Sequence, residues 1–193
     1  MLHDIPEEVR DCMRELEAQE ARDHNSLQQI PRQTGRLLAL LAAAAPAGTW
    51  IEAGTSGGYS SLWISLAART KDVRHVTIEI SESKVVLARQ TFARAKLEHR
   101  IELVHGDALE HLPRYSGVSF CFIDASPGPV NIGAYDIVLP NLLPGGWLVM
   151  DNVVSHRKVP EMRAFLQRVK SDRRVDFALL RFGKGQLVCR RNH

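Results

Sequence analysis

The chain has 193 residues, of which 45% are hydrophobic and 24% are charged, a composition typical of a globular protein long enough to bury a sizeable core. Its formal net charge of +3 comes without a concentrated block of lysine and arginine, which argues against a nucleic-acid partner. No apolar stretch could span a membrane, the acidic N-terminus does not resemble a signal peptide, and the three distant cysteines predict no disulfide framework, so we expect a cytoplasmic protein.

Two helices are predicted before the first strand, over residues 5–22 and 33–45. The first has an apolar stripe at helical spacing, formed by Val9, Cys12, Met13 and Leu16. We expect residues 1–48 to form a helical extension that covers one side of the sheet or the active site, and residues 49–193 to form the core of the same single domain. Self-association into a homodimer through the apolar stripe is a further alternative.

From Thr49 onward, predicted strands and helices alternate. The strands are predicted over 49–53, 75–80, 101–105, 120–124 and 147–151. The helices are predicted over 60–69, 82–96, 134–142 and 158–171, with a short helix after Asp107. A Pro/Gly-rich loop is predicted over 126–133, a turn over Pro144–Gly146, and a final hairpin over 176–182 and 186–190. This order predicts an α/β fold with a seven-stranded, mostly parallel sheet, helices on both faces and a C-terminal antiparallel hairpin.

The segment Trp50–Ser60 joins the first predicted strand to the next helix through a glycine-dense turn. Glycines allow positive φ and close approach of a ligand, and a helix start offers free backbone N–H groups. The turn matches neither the dinucleotide fingerprint G-x-G-x-x-G nor the phosphate loop G-x-x-x-x-G-K-[ST]. We therefore predict a nucleotide-like cofactor on this turn. A glycine turn that binds another ligand or none is the alternative.

An acid stands at or just beyond the end of each of the five predicted strands before the hairpin. These acids are Glu52, Glu79, Asp107, Asp124 and Asp151. Glu79 lies about 20 residues past the glycine loop, where an acid accepts hydrogen bonds from the ribose hydroxyls of an adenosine cofactor. Asp107 is placed to contact the adenine amino group. Helix capping would explain any one of these acids, but five at one edge of a sheet indicate a ligand site.

The order and spacing of these motifs resemble class I S-adenosylmethionine-dependent methyltransferases of Rossmann-like fold. The closest resemblance is to the cation-dependent O-methyltransferase family related to catechol and caffeoyl-CoA O-methyltransferases, in its short bacterial form. It covers residues 49–190 and rests on Gly54–Ser60, Thr77–Ile80, Gly106–Ala108, Pro144–Gly146 and Asp151–Val153. The resemblance implies that S-adenosylmethionine is bound by Glu52, Gly54, Ser56, Gly58, Ser60, Glu79, Asp107, Ala108 and Asp124.

The family's metal site maps onto Asp124, Asp151 and Asn152, which implies Mg²⁺ or another divalent cation and a catalytic role for Asp124. The match fails after Asp124, because the family usually has Asp-Ala-Asp-Lys where this chain has Asp124–Pro127. The lysine's role as a base therefore does not carry over. His156 is a candidate replacement because an imidazole titrates near neutral pH, and a polar surface histidine is the alternative.

The resemblance implies an O-methyltransferase that acts on a small hydroxylated, catechol-like acceptor. An alternative of another class is an S-adenosylmethionine-binding protein of the same fold with little or no methyl transfer, acting as a sensor or partner protein. RNA methylation is less favoured, because the sequence has no basic stripe with interleaved aromatic residues. We expect a small-molecule acceptor as the partner, and neither nucleic acid nor a membrane.

Overall fold

The computed structural model describes residues 4–23, 26–68, 73–125 and 129–193. Within these residues the chain forms one seven-stranded sheet in the order β3-β2-β1-β4-β5-β7-β6. The strands are β1 (Thr49–Ala53), β2 (His75–Glu79), β3 (Ile101–His105), β4 (Val118–Ile123), β5 (Leu142–Met150), β6 (Val175–Leu180) and β7 (Gln186–Arg191). The helices are α1 (Glu7–Arg22), α2 (Arg32–Ala44), α3 (Tyr59–Ala68), α4 (Glu82–Arg94), α5 (Ala108–His111), α6 (Pro129–Val138) and α7 (Pro160–Ser171).

Strands β1 to β5 pair in parallel, whereas β7 is antiparallel to both β5 and β6. The order of the parallel strands reverses between β1 and β4, because the chain first builds outward to β3 and then returns to the other side of β1. In sheets of this type a crevice opens beyond the carboxyl ends of the strands at the point of reversal. The predicted fold class is confirmed, and it places the candidate site at the ends of β1 and β4.

Buried side chains pack on both faces of the sheet. In β4, Phe120 and Phe122 face the layer formed by α1 to α4, while Cys121 and Ile123 face the layer formed by α5 to α7. This alternation is the period of two that a strand buried on both faces must have. Among the described residues, no helix has both the length and the apolar character that crossing a membrane requires.

The apolar stripe of helix α1 is buried against the core of the same chain. The four stripe residues are at most 4% exposed and contribute to the core beside α3 and α4. An exposed ion pair between Glu15 and Arg94 links α1 to α4 at the rim of this contact. The stripe therefore offers no surface to a second copy, and the suggested route to a homodimer through it is wrong.

Helix α6 begins earlier than the predicted 134–142. It starts at Pro129, since a proline in the first turn loses no helical hydrogen bond, and it ends at Val138. A 3₁₀ turn over Leu139–Asn141 follows, because Pro140 cannot donate an amide to continue the α-helical ladder. Residues 129–133 of the predicted loop are thus helical, and Ser126–Gly128 lie outside the described residues.

The predicted turn Pro144–Gly146 lies inside β5 as an irregularity of the strand. Val118 pairs with Leu142, but Phe120 pairs with Trp147, so the ladder between β4 and β5 is interrupted over this segment. Proline has no amide to donate to a neighbouring strand, which is why the segment bulges. Regular pairing resumes at Trp147, where the strand was predicted to begin.

We expect Gly35→Ala to lower the free energy of unfolding by about 1–3 kcal/mol, the usual cost of overpacking. A methyl group on Gly35 of α2 would lie 2.3 Å from Cδ1 of Trp63, whose ring is buried on α3. Urea unfolding measures the effect, with the exposed α2 residue Gln33 changed to alanine as the control. A Gly35→Ala protein as stable as the wild type would contradict the tight α2–α3 contact.

Candidate functional site

Two adjoining cavities lie at the carboxyl ends of β1, β2 and β4. The first is lined by the glycine loop 54–57, by the segment 27–30 between α1 and α2, and by residues from six other segments, among them Asp124 and Asn152. The second, of about 270 Å³, is lined by residues of the β2 and β3 ends and by Val130. Both cavities include Gly54, Glu79 and Ala125, so together they form one groove across the end of β1.

Gly54 allows the ends of β1 and β4 to touch. Its φ is +97°, and a Cβ on it would lie 2.2 Å from the backbone oxygen of Asp124. The Gly54 amide donates to the Ile78 carbonyl at 2.9 Å, and the Asp124 amide donates to the Ala53 carbonyl at 2.8 Å. The glycine is therefore required by the packing of three strand ends, in addition to any ligand that approaches the loop.

Glu79 fixes the glycine loop from the end of β2. Its carboxylate accepts hydrogen bonds from the amides of Ser56 at 2.8 Å and Ser81 at 2.9 Å, and the residue is 7% exposed. The Ser56 hydroxyl in turn donates to the Leu27 carbonyl at 2.7 Å, which ties the loop to the segment between α1 and α2. Glu79 thus stands at the boundary of the two cavities, while Ser56 and Ser60 line the first.

Glu52 lies beneath the loop and lines neither cavity. Its carboxylate is fully buried and accepts hydrogen bonds from the hydroxyls of Ser61 and Thr77, the latter at 2.7 Å. Burial raises the pKa of Glu52 to about 7. The imidazole of His75 lies 3.9 Å away, and burial lowers its pKa to about 4, so this histidine is neutral at pH 7. The structure does not bring the Glu52 side chain to the groove that we expected it to line.

The second cavity has one polar and one apolar side. Asp107 and Ala108 line it at the start of α5, and the Asp107 carboxylate also caps this helix by accepting from the Leu109 amide at 2.8 Å. Ile80 and Val130 supply apolar surface, and Ile80 is 66% exposed. Sequence reasoning missed Ile80. The available signal was a large apolar residue immediately after the acid that ends β2.

Asp124, Asp151 and Asn152 come together at the ends of β4 and β5. The Asn152 side-chain amide donates to Asp124 at 2.6 Å, and Asp151 accepts from the Asn152 backbone amide and from the Gln186 side chain, both at 2.8 Å. Burial, reinforced by the charge of Asp151, raises the pKa of Asp124 well above its usual range. Burial also raises the pKa of Asp151. This end of the site would be stabilised by a cation.

The described residues contain no group of three or more His, Cys, Asp or Glu side chains suited to a metal ion. The trio at the ends of β4 and β5 has a different composition, because it joins two carboxylates to one amide. Carboxylate and amide oxygens are the ligands that hard cations such as Mg²⁺ prefer, with water completing the shell. The donor chemistry therefore fits a divalent cation.

Lys184 is a site residue that the sequence analysis missed. It lines the first cavity together with Asp124 and Asn152, and its positive charge opposes the rise in the pKa of Asp124 and Asp151. The sequence Gly183–Gly185 signalled only a hairpin turn. Because Lys184 is far along the chain from the strand-end acids, the sequence did not indicate that it lies beside them in the cavity.

His156 is not among the residues that line either cavity. Its Nδ1 atom lies 2.9 Å from the Asn152 carbonyl oxygen and 3.0 Å from the Ser155 hydroxyl, so the ring is engaged within its own loop. Ser126 and Pro127, which stand where the family has Asp-Lys, lie outside the described residues. In the structure, the His156 ring therefore does not line the groove.

Comparison with known proteins gives a consistent result. A model of the O-methyltransferase family matches residues 4–192. A catechol O-methyltransferase of Mycobacterium tuberculosis is 35% identical over 127 residues, which cover 65% of this chain and 57% of that enzyme. The chain therefore matches less than two thirds of this relative's length.

Two solved structures share the fold over nearly the whole chain. The O-methyltransferase from Bacillus cereus in complex with SAH superposes with a TM-score of 0.82 at 26% identity, covering 94% of this chain and 91% of that one. The O-methyltransferase TomG from Streptomyces achromogenes, involved in tomaymycin synthesis and solved with SAM, has a TM-score of 0.81 at 26% identity and covers 98% and 92%.

We compare the free energy of unfolding of Glu52→Gln with that of the wild type. We expect this difference to shift in favour of the variant by about 2 kcal/mol between pH 5 and pH 8. The pKa of Glu52 rises from an ordinary 4.5 to about 7 on folding. The folded state therefore holds the extra proton in this window, and the wild type loses stability as the pH rises through it. The glutamine oxygen can still accept from Ser61 and Thr77.

Urea unfolding of both proteins at each pH gives the difference, and the exposed Glu98→Gln variant is the control. A stability difference that does not change with pH would show that Glu52 is ionised in the folded protein.

Proposed function

Because the chain belongs to the O-methyltransferase family, we propose that it transfers the methyl group of S-adenosylmethionine to a hydroxyl oxygen of a small, catechol-like acceptor. The observation that carries this proposal is the continuity of the groove. The two cavities share Gly54, Glu79 and Ala125, and the first is also lined by Asp124 and Asn152. A cofactor lying across the shared residues would place its adenosine in the second cavity and its sulfonium beside the carboxylates.

The proposed cofactor contacts follow from this orientation. Each Glu79 oxygen accepts one backbone amide and retains a lone pair for a ribose hydroxyl. Ile80 and Val130 would cover the adenine ring, with Asp107 and Ala108 at its polar edge. The loop positions 54–60, which include Gly54, Ser56, Gly58 and Ser60, would surround the methionine part.

Glu52 acts in this proposal as a positioning residue. Its carboxylate joins β1 to Ser61 in the first turn of α3 and to Thr77 of β2. The Thr77 hydroxyl lies 2.6 Å from that of Thr55, so the network continues into the cofactor loop. Glu52 would therefore affect cofactor binding by holding the loop, without contacting the cofactor itself.

We also propose a divalent cation, Mg²⁺ or a similar ion, held by Asp124, Asp151 and Asn152. The Asn152 oxygen would have to face the ion, which needs only rotation of its terminal amide or exchange of the assigned oxygen and nitrogen. A cation bound there would lower the pKa of the acceptor hydroxyl. His156 has no role in this proposal, because it lines neither cavity.

Methyl transfer breaks the carbon–sulfur bond of the sulfonium as the new carbon–oxygen bond forms, and the acceptor hydroxyl gives up its proton to water. The products are the O-methylated acceptor and S-adenosylhomocysteine. The contribution of the chain is to align oxygen, carbon and sulfur and to surround the reacting atoms with fixed charges. Asp124 is placed to contribute to both the alignment and the fixed charge. Its backbone contacts Gly54 of the proposed cofactor loop, and its side chain contacts Asn152.

A binding protein of the same fold would need the glycine loop and Glu79 but not the carboxylates at the ends of β4 and β5. Asp151 is buried and Asp124 is partly buried, and desolvation raises the pKa of both carboxyl groups, which is costly for the fold unless a cation or the reaction uses them. This pair favours the catalytic function over the alternative of a sensor or partner protein.

The proposed partner is a small-molecule acceptor, with no role for nucleic acid or a membrane. The three cysteines, Cys12, Cys121 and Cys189, are free and buried, which fits a reducing compartment. We accordingly propose a cytoplasmic location.

We expect Glu79→Ala to weaken binding of S-adenosylhomocysteine by roughly 1–3 kcal/mol, the range for losing a charged hydrogen-bond acceptor. Calorimetric titration measures it, and Glu82→Ala, at an exposed position in the first turn of α4, is the matched control. NAD should not bind to either variant or to the wild type. An unchanged affinity in Glu79→Ala would remove Glu79 from the cofactor site.

We expect turnover of vicinal diols and phenols to require Mg²⁺ and to be abolished by a chelator. Asp151→Asn should lower both the Mg²⁺ affinity, measured by calorimetry, and the rate, because it removes one negative ligand. Asp136→Asn is the control, since Asp136 is half-exposed in a surface ion pair with Arg168.

Turnover that persists in chelator, or full activity of Asp151→Asn, would contradict the metal-assisted mechanism. Intact cofactor binding without turnover of any acceptor would instead support the non-catalytic alternative.

A further inference from the structure

We propose that Lys184 binds the acceptor and selects molecules that carry an anionic group on the same ring as the hydroxyl to be methylated, such as dihydroxylated aromatic carboxylates. This inference rests on the proposed function, because it concerns the acceptor end of the same site. It assigns a specificity role to the hairpin between β6 and β7.

The hairpin turn holds Lys184 in a defined place. The Val153 amide donates to the Gly185 carbonyl at 3.1 Å, and the Ser155 amide donates to the Lys184 carbonyl at 3.0 Å. Gly185 has φ +88°, and a Cβ on it would lie 2.2 Å from Cγ2 of Val154. The turn is therefore docked tightly on the loop that follows β5, and no other residue type fits at Gly185 without moving it.

The carboxylates near Lys184 already have other hydrogen-bond donors. Asp124 accepts from the Asn152 side chain, and Asp151 accepts from the Asn152 backbone and from Gln186. Among the described residues, none forms a hydrogen bond or a close ion pair with the Lys184 ammonium. Lys184 thus lines the cavity as an exposed residue, and the hydrogen-bonding capacity of its ammonium is available to a ligand.

The topology separates Lys184 from the other lysine of the cavity. Lys84 comes from the first turn of α4, directly after β2, and lies on the cofactor side of the groove. Lys184 precedes β7, which pairs with β5 on the opposite side of β1. Lys184 is therefore the cation at the end of the groove where Asp124 and Asn152 lie.

Charge and shape together indicate the class of acceptor. The proposed cation would neutralise the carboxylates of Asp124 and Asp151, and the ammonium of Lys184 would then leave a net positive charge at the cavity wall, which attracts an anionic acceptor. Leu27, Ile30 and Tyr59 line the same cavity, where a ring would contact them. A ring with a hydroxyl toward Asp124 and a carboxylate toward Lys184 satisfies both requirements.

The test compares 3,4-dihydroxybenzoate with the neutral catechol as acceptors in Mg²⁺. In the wild type, kcat/KM should be higher for dihydroxybenzoate. Lys184→Gln should lower the ratio of kcat/KM for dihydroxybenzoate to that for catechol by about tenfold or more, mainly by raising the KM for dihydroxybenzoate. Lys184→Arg should keep most of the preference, and Lys170→Gln, at an exposed position on α7, should leave both acceptors unchanged.

A titration of both compounds into the protein loaded with S-adenosylhomocysteine gives a readout that does not depend on turnover. Dihydroxybenzoate should bind more tightly than catechol, and Lys184→Gln should abolish the difference between the two compounds. No preference in the wild type, or an equal loss for both compounds, would overturn the proposal. If neither compound is methylated, the proposed function fails, and the titration still decides the role of Lys184 by the same two outcomes.

Discussion

The contact between the ends of β1 and β4 is the constraint on which the site depends. At this point the strand order reverses. A continuous groove forms here only if the ends of β1 and β4 lie close enough together to form its base. Gly54 permits this, since any Cβ would overlap the Asp124 backbone. This one contact sets the distance between the glycine loop and the acid at the end of β4. A side chain at position 54 would therefore disturb both cavities together.

The buried carboxylate of Glu52 shows that the loop is held at a cost in stability. A buried acid with a pKa near 7 is partly ionised at neutral pH without a cationic partner, because His75 beside it is neutral. An apolar residue would avoid this cost but could not accept hydrogen bonds from Ser61 and Thr77 at once. The network joins β1, β2 and α3 under the loop, so its value lies in positioning.

The fold and the strand-end acids could be predicted because their signals are local in sequence. A strand followed by a glycine turn, or a strand ending in an acid, specifies its own place at the carboxyl edge once the sheet is parallel. Lys184 and the segment 27–30 reach the groove only through tertiary packing, which no local pattern encodes. The early start of α6 was missed for another reason: Pro129 suits both a loop and the first turn of a helix.

The position of Lys184 also bears on the departure from the family pattern after Asp124. The family places a lysine on the chain just beyond this acid, whereas this chain has Ser126 and Pro127 there. Two neighbouring carboxylates still require positive charge, and this requirement concerns position in space rather than sequence. The docked hairpin turn brings an ammonium to the same cavity from beyond β5. The motif after β4 can therefore change while the charge balance of the site is retained, and in the proposed complex the acceptor would contact a cation on a different wall of the groove.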